Sequence, residues 1–266
     1  MIGFAARRPL TFSAVVVFVP VVALGFIHPA LGGLSLSEPV NRLIAEAAFC
    51  GYVILLLSHL RWRREAGFTR PPVTRRLVAY LPLLVLPALV VAGSGMKAAS
   101  PGRVGEFVLF TLMVGFAEEG LIRGIVLRAL LPGGAMRAAV LSSLIFGAGH
   151  VANIIQGASP AATAVQVVVA TLLGIGFAGT RIYAGTIWPA IVAHALIDLA
   201  DAATRGFALL PPQPMTVTSA VVPIVLTGTY AVYGWWLLRR TATADGHHSN
   251  NTSPPTKRRL SSSEGL

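Results

Sequence analysis

Long apolar runs, broken only by short turn-rich stretches, restrict what this chain can become more than any other feature. Eight such runs cover Leu10–Leu34, Leu43–Leu60, Leu77–Met96, Phe107–Leu131, Ala138–Ile155, Ala162–Thr180, Ile187–Ala203 and Val217–Leu238. Runs of about 18 apolar residues are long enough to cross a bilayer as helices. Backbone polar groups in lipid must be satisfied within the segment, so helix is the expected element throughout. Between the runs lie punctuators such as Arg70-Pro71-Pro72, Ser100-Pro101-Gly102, Pro132-Gly133-Gly134 and Pro211-Pro212. The expected fold is therefore all-α, a polytopic transmembrane bundle of about eight spans. Only 12% of residues are charged, and mean hydropathy is +0.72. A soluble domain needs about twice that charged fraction to solvate its surface.

Arginine placement gives the bundle an orientation. With the N-terminus in the cytoplasm, sixteen Lys and Arg residues fall on the cytoplasmic side and four in outer loops, and Arg123 lies within the membrane. This bias follows the positive-inside rule and puts both termini in the cytoplasm. It also accounts for the net charge of +11 without nucleic acid. The basic residues sit mostly at the ends of apolar runs, where they meet lipid head groups, and no zinc-finger spacing or basic helix with interleaved aromatics occurs. Arg7 and Arg8 precede the first run, which is too long for a secretory signal core and reads as a retained helix.

A membrane domain over residues 1–240 and a polar tail over residues 241–266 are the expected divisions. The tail is rich in Ser, Thr, Asn and Pro, carries Lys257-Arg258-Arg259, and cannot bury a core, so disorder is expected. Cys50 is the single cysteine, so no disulfide can form within the chain. Glu46 can pair with Arg42 at a helix end and is read as structural.

Charged groups in hydrocarbon cost several kcal/mol, so each asks for a reason. Glu118, Glu119, Arg123, His150, His194 and Asp198 all fall in predicted spans, on the fourth, fifth and seventh helices. Glu119 and Arg123 stand four apart, share a face and can pair. Glu118 is turned about 100° away and is free to point elsewhere. Phe146 can pack on His150 four residues later, and Asp198 can reach and orient His194. Similar depths let Glu118, His150 and His194 converge on one cavity. Asn153 lies close to His150. Polar glue between helices, a proton or ion pathway, and a hydrolytic site are all compatible with such a cluster.

Three motifs narrow the choice. Glu118-Glu119-Gly-Leu-Ile-Arg123, Phe146-Gly-Ala-Gly-His150 and His194-Ala-Leu-Ile-Asp198 stand in that order on separate apolar helices. The ordered set, within about residues 107–201, resembles the CPBP family, the type II CAAX prenyl endopeptidases and bacteriocin-processing proteases also called the ABI family. Trp188-Pro189 ahead of His194 is similar too.

The resemblance implies an intramembrane endopeptidase acting on membrane-associated proteins or peptides, in the plasma membrane of a bacterium. By the same analogy, Glu118 and His150 activate and position a water, and His194 and Asp198 stabilise the oxyanion. Glu119, Arg123 and Phe146 support them. Asp198 stands where eukaryotic CAAX-processing relatives typically have asparagine. An ionised aspartate cannot donate to an oxyanion, so Asp198 is either protonated or orients His194. Glu118, His150, His194 and Asp198 are also sound ligand types for a divalent metal such as zinc, although no His-Glu-x-x-His occurs. Metal-dependent and metal-free glutamate mechanisms both remain compatible. A transporter, or a non-catalytic immunity or scaffold protein built on such a core, is the alternative.

The topology is testable with reporter fusions after Arg240. Eight spans from a cytoplasmic N-terminus should place that reporter in the cytoplasm, and a signal only from the outer side would reject the count.

Overall fold

A computed structural model describes residues 1–32, 37–71, 73–155, 157–207 and 216–250. No strand occurs among them. The helices are α1 (Ile2–Arg7), α2 (Pro9–Gly32), α3 (Glu38–Leu60), α4 (Val85–Ser94), α5 (Pro101–Glu119), α6 (Leu127–Leu130), α7 (Ala135–Gly149), α8 (Pro160–Ala184), α9 (Trp188–Thr204) and α10 (Val217–Asn250). α10 runs on past Arg240 into the polar stretch, and residues 251–266 of the expected tail lie outside the described residues.

Local chemistry sets several boundaries. Ser100 and Ser159 cap α5 and α8, accepting from the backbone N–H of Arg103 at 3.3 Å and of Ala162 at 3.1 Å. Each is followed by proline at the first helical position, where a missing N–H costs nothing. α8 ends at Gly185, whose φ of 76° suits a residue without Cβ.

Two of the expected helices are not uniform. The third run begins as a 3₁₀ helix, Thr74–Leu84, before α4. Pro82 lies inside it and can donate no backbone hydrogen bond, which weakens a regular α-helix there. The fourth run is α5, then a π-helical turn over Gly120–Val126, then α6. Every residue of that turn is buried. Gly120 and Gly124 admit the close neighbours: a Cβ on Gly120 would lie 3.0 Å from Val53 Cγ1, and one on Gly124 3.4 Å from Ala66 Cβ.

Among the described residues, five helical segments are long and apolar enough to cross a membrane: Pro39–Leu60, Arg75–Ser94, Ala135–Ile154, Pro160–Ala184 and Val217–Thr241. Their apolar windows are only about a third buried or less inside the protein. Leu55 and Val232 are 70% and 71% exposed, as side chains facing lipid should be. α5 and α9 do not meet that standard. α9 is only 17 residues long and carries His194, Asp198 and Asp201, while α5 carries Arg103, Glu106, Glu118 and Glu119. The two helices that bear most of the candidate chemistry are the ones that chemistry makes less apolar.

Close backbone approaches hold the bundle together. Lipid is as apolar as leucine, so helices in a membrane associate through tight packing and polar contacts. A Cβ on Gly115 of α5 would stand 2.6 Å from the carbonyl oxygen of Ile191 on α9. Where α8 and α10 meet, a Cβ on Gly179 would collide with the backbone of Gly234, and one on Gly234 with the backbone of Ile175 and Gly176. Gly51 on α3 faces open space by contrast. Overpacking of this kind costs about 1–3 kcal/mol. Gly179→Ala should lower the thermal midpoint in detergent, whereas Gly51→Ala should leave it unchanged or raise it. Equal midpoints for the two variants would show that the α8–α10 approach contributes nothing.

Candidate active site

The last turn of α5 delivers Glu118 and Glu119, and the π-helical turn then brings Arg123 back beside Glu119. Both the Glu119 and Arg123 side chains are fully enclosed, with Arg123 Nη1 donating to Glu119 Oε1 at 2.9 Å. The guanidinium lies 4.4 Å from the ring centre of Phe146 on α7 and 5.5 Å from that of Phe177 on α8. Such contacts favour a desolvated cation. They matter because Arg123 Nε and Nη2 have no hydrogen-bond partner. Gly174 on α8 makes the room, since a Cβ there would lie 2.8 Å from Arg123 Nη2.

His194 is fixed from three sides. Its Nδ1 lies 2.9 Å from Glu119 Oε1, the oxygen that already accepts from Arg123. Its ring stacks on Phe177 with centres 6.0 Å apart and planes inclined by 26°, and meets Phe146 edge-on at 6.3 Å. The opposite nitrogen, Nε2, is 3.5 Å from Glu118 Oε2 and 3.6 Å from Asp198 Oδ2. Asp198 was expected to orient this ring. At 3.6 Å it is too long for a good hydrogen bond, and the shorter contact belongs to Glu119. A carboxylate expected only to pair with Arg123 therefore also holds the histidine.

His150 is the first residue past α7, where the chain tightens into a 3₁₀ turn over His150–Ile154. Its Nδ1 lies 3.0 Å from the carbonyl oxygen of Phe146. With the proton on Nδ1 that contact is a hydrogen bond, and Nε2 stays available. The Phe146 ring stands perpendicular to the imidazole, 4.9 Å away.

His150 and Glu118 line one cavity of about 190 Å³, together with Glu46 and Asn153. Its apolar wall includes Val17 and Val21 of α2, Phe49 of α3, and Leu121 and Ile122 of the π-helical turn. His194 and Asp198 are not part of that lining; they adjoin Glu118 at Nε2 of His194 and near it. Glu118 is thus the carboxylate that touches both the cavity and the histidine held by Glu119. Its side chain is 28% exposed against 0% for Glu119.

Glu118, His150, His194 and Asp198 are not gathered into a metal-binding set. Among the described residues no group of three or more His, Cys, Asp or Glu side chains is placed to hold a metal ion. Nδ1 of His194 contacts Glu119 and Nδ1 of His150 the Phe146 carbonyl, so each ring has only Nε2 left for another partner.

Two participants were missed in the sequence. Phe177 belongs to no motif and carries no sequence signal. Glu46 was read as a partner of Arg42, yet it lines the cavity. A signal existed: Glu46 lies seven residues, about two helical turns, before fully buried Val53, so both occupy the inward face of α3.

The two glutamates should respond differently to neutralisation. Removing one partner of a buried ion pair costs about 3–5 kcal/mol. Glu119→Gln should cut the yield of folded protein in the membrane and lower its thermal midpoint, because Arg123 and His194 lose the negative charge they share. Glu118→Gln should leave both near wild type. Equal stability of the two variants would contradict this division.

No curated protein matches the chain. Residues 100–200, which contain all three motifs and every side chain of the Glu119–Arg123–His194 cluster, match the family model described as Type II CAAX prenyl endopeptidase Rce1-like, and by that segment this integral membrane protein is similar to the CAAX-protease-like endopeptidases.

Proposed function

We propose that the chain is an intramembrane endopeptidase that hydrolyses peptide bonds of membrane-associated proteins or peptides, working in an eight-span bundle with both ends cytoplasmic. The observation that carries this reading is Glu118, among the described residues the one carboxylate that both opens onto the cavity beside His150 and adjoins the oriented ring of His194.

The chemistry follows from these positions. Glu118 takes a proton from a water in the cavity, with His150 positioning that water through Nε2. The water oxygen bonds to the scissile carbonyl carbon, and the carbonyl oxygen becomes an oxyanion. His194 in its doubly protonated form donates Nδ1–H to Glu119 and presents Nε2–H towards the space between Glu118 and Asp198, where negative charge can be met. Glu118 then returns its proton to the leaving nitrogen, the carbon–nitrogen bond breaks, and the products are a carboxylic acid and an amine. Glu119 and Arg123 position His194 and need not touch substrate. Asp198 adjoins the same nitrogen and sets the local charge. The apolar wall keeps competing water away from the reacting atoms.

Comparative membrane proteomics of cells carrying wild-type protein or Glu118→Gln tests the reading. Wild-type cells should contain shortened forms of specific membrane proteins, with a new terminus in or near a membrane segment, and the variant should lack them. Loss of one essential general base typically lowers rate by about 10²–10⁴-fold. In a purified assay Glu118→Gln should fall by at least that factor while remaining folded. Full proteolysis by Glu118→Gln would remove Glu118 from the chemistry, and identical proteomes would argue against a protease.

A further inference from the structure

The cavity contains a second carboxylate that the reaction above does not use. Glu46 enters from α3, a helix outside the matched segment, and shares the lining with Glu118 and His150. Its Oε1 is buried without a hydrogen-bond partner. Glu46 also lies within electrostatic reach of Glu118, Asp198 and His194. Among the described residues no lysine or arginine lines the cavity. The nearby buried cation, Arg123, is directed to Glu119 instead.

Protonated His194 adjoins Glu118, but Glu46 Oε1 has no hydrogen-bond partner, and a carboxylate so placed is costly unless something positive enters the cavity. Water can solvate part of this charge, but the apolar share of the lining limits it. Val17, Val21 and Phe49 offer a surface for an aliphatic stem, and Glu46 offers an acceptor at its end. Lysine and arginine have that form, an apolar stem with a charged tip. The protein's own basic residues have the right sign but the wrong place: sixteen of them are expected at the cytoplasmic ends, away from this cavity.

We infer that Glu46 is a specificity-determining residue that accepts a cationic side chain of the substrate, next to the bond that Glu118 cleaves. The inference rests on the endopeptidase reading and narrows it to segments carrying a basic residue beside the scissile bond. A charge-assisted hydrogen bond is about twice as strong as a neutral one. It should therefore be visible as a rate preference of about tenfold or more, tenfold being about 1.4 kcal/mol.

The test uses the full chain in nanodiscs of phosphatidylcholine, whose zwitterionic surface does not itself select basic peptides. The probes are lipid-anchored peptides, identical except for lysine, norleucine or glutamate at successive positions. At one position wild type should cleave the lysine peptide about tenfold faster or more, in kcat/KM. Glu46→Gln should bring that ratio close to one, and Glu46→Lys should favour glutamate at the same position. Equal rates at every position, or a lysine preference that survives Glu46→Gln, would overturn the inference. Should Glu46→Gln not fold, Glu46→Asp keeps the charge and shortens its reach; the ratio should fall severalfold, and an unchanged ratio counts against the site. If wild type and Glu118→Gln are equally inert on every peptide, the endopeptidase reading fails by itself. Binding of the same peptides to wild type, followed by fluorescence anisotropy, then decides the cation site. A lysine preference abolished by Glu46→Gln upholds it, and no preference overturns it.

Discussion

A fully enclosed glutamate shared between an arginine and a histidine is the interaction on which the rest of the site depends. Glu119 Oε1 accepts from Arg123 and contacts His194 Nδ1 at the same distance, 2.9 Å. Neither ion could stand alone in a bundle surrounded by lipid, since an unpaired buried charge costs several kcal/mol. Together with the rings of Phe146 and Phe177 they form a closed unit drawn from α5, the π-helical turn, α7, α8 and α9. That unit fixes the direction of His194 and leaves Glu118, one residue earlier and turned away, at the edge of the cavity.

The packing of the helices serves the same arrangement. Gly115 lets α5 approach α9, and Gly174 leaves space for the guanidinium of Arg123. The π-helical turn widens the fourth helix just after the paired glutamates. Such turns insert a residue without ending the helix and occur often at functional sites. Here the turn keeps Glu119 and Arg123 on one face while burying the residues between them.

The cavity itself is asymmetric. Glu118, His150 and Asn153 lie in the segment similar to the type II CAAX prenyl endopeptidases, and Glu46 with Phe49 and the two valines of α2 come from outside it. The motif helices supply the groups that can move protons. The earlier helices supply four residues of the lining, Val17, Val21, Glu46 and Phe49.

Much of this was legible in the sequence. Apolar runs demand helices in lipid, because an unsatisfied backbone in hydrocarbon is prohibitive, and all eight runs coincide with helical segments where they are described. The spacing of Glu119 and Arg123 specified their ion pair, and that of Phe146 and His150 their contact, because both lie within one or two turns of a single helix. Spacing has no such power between helices. That Glu119 rather than Asp198 makes the short contact to His194, that Phe177 lies under the ring, and that Glu46 joins the cavity are all decided by how separate helices rotate and cross. Those rotations follow from glycine contacts and from one π-helical turn, whose effect exists only when the helices are packed together.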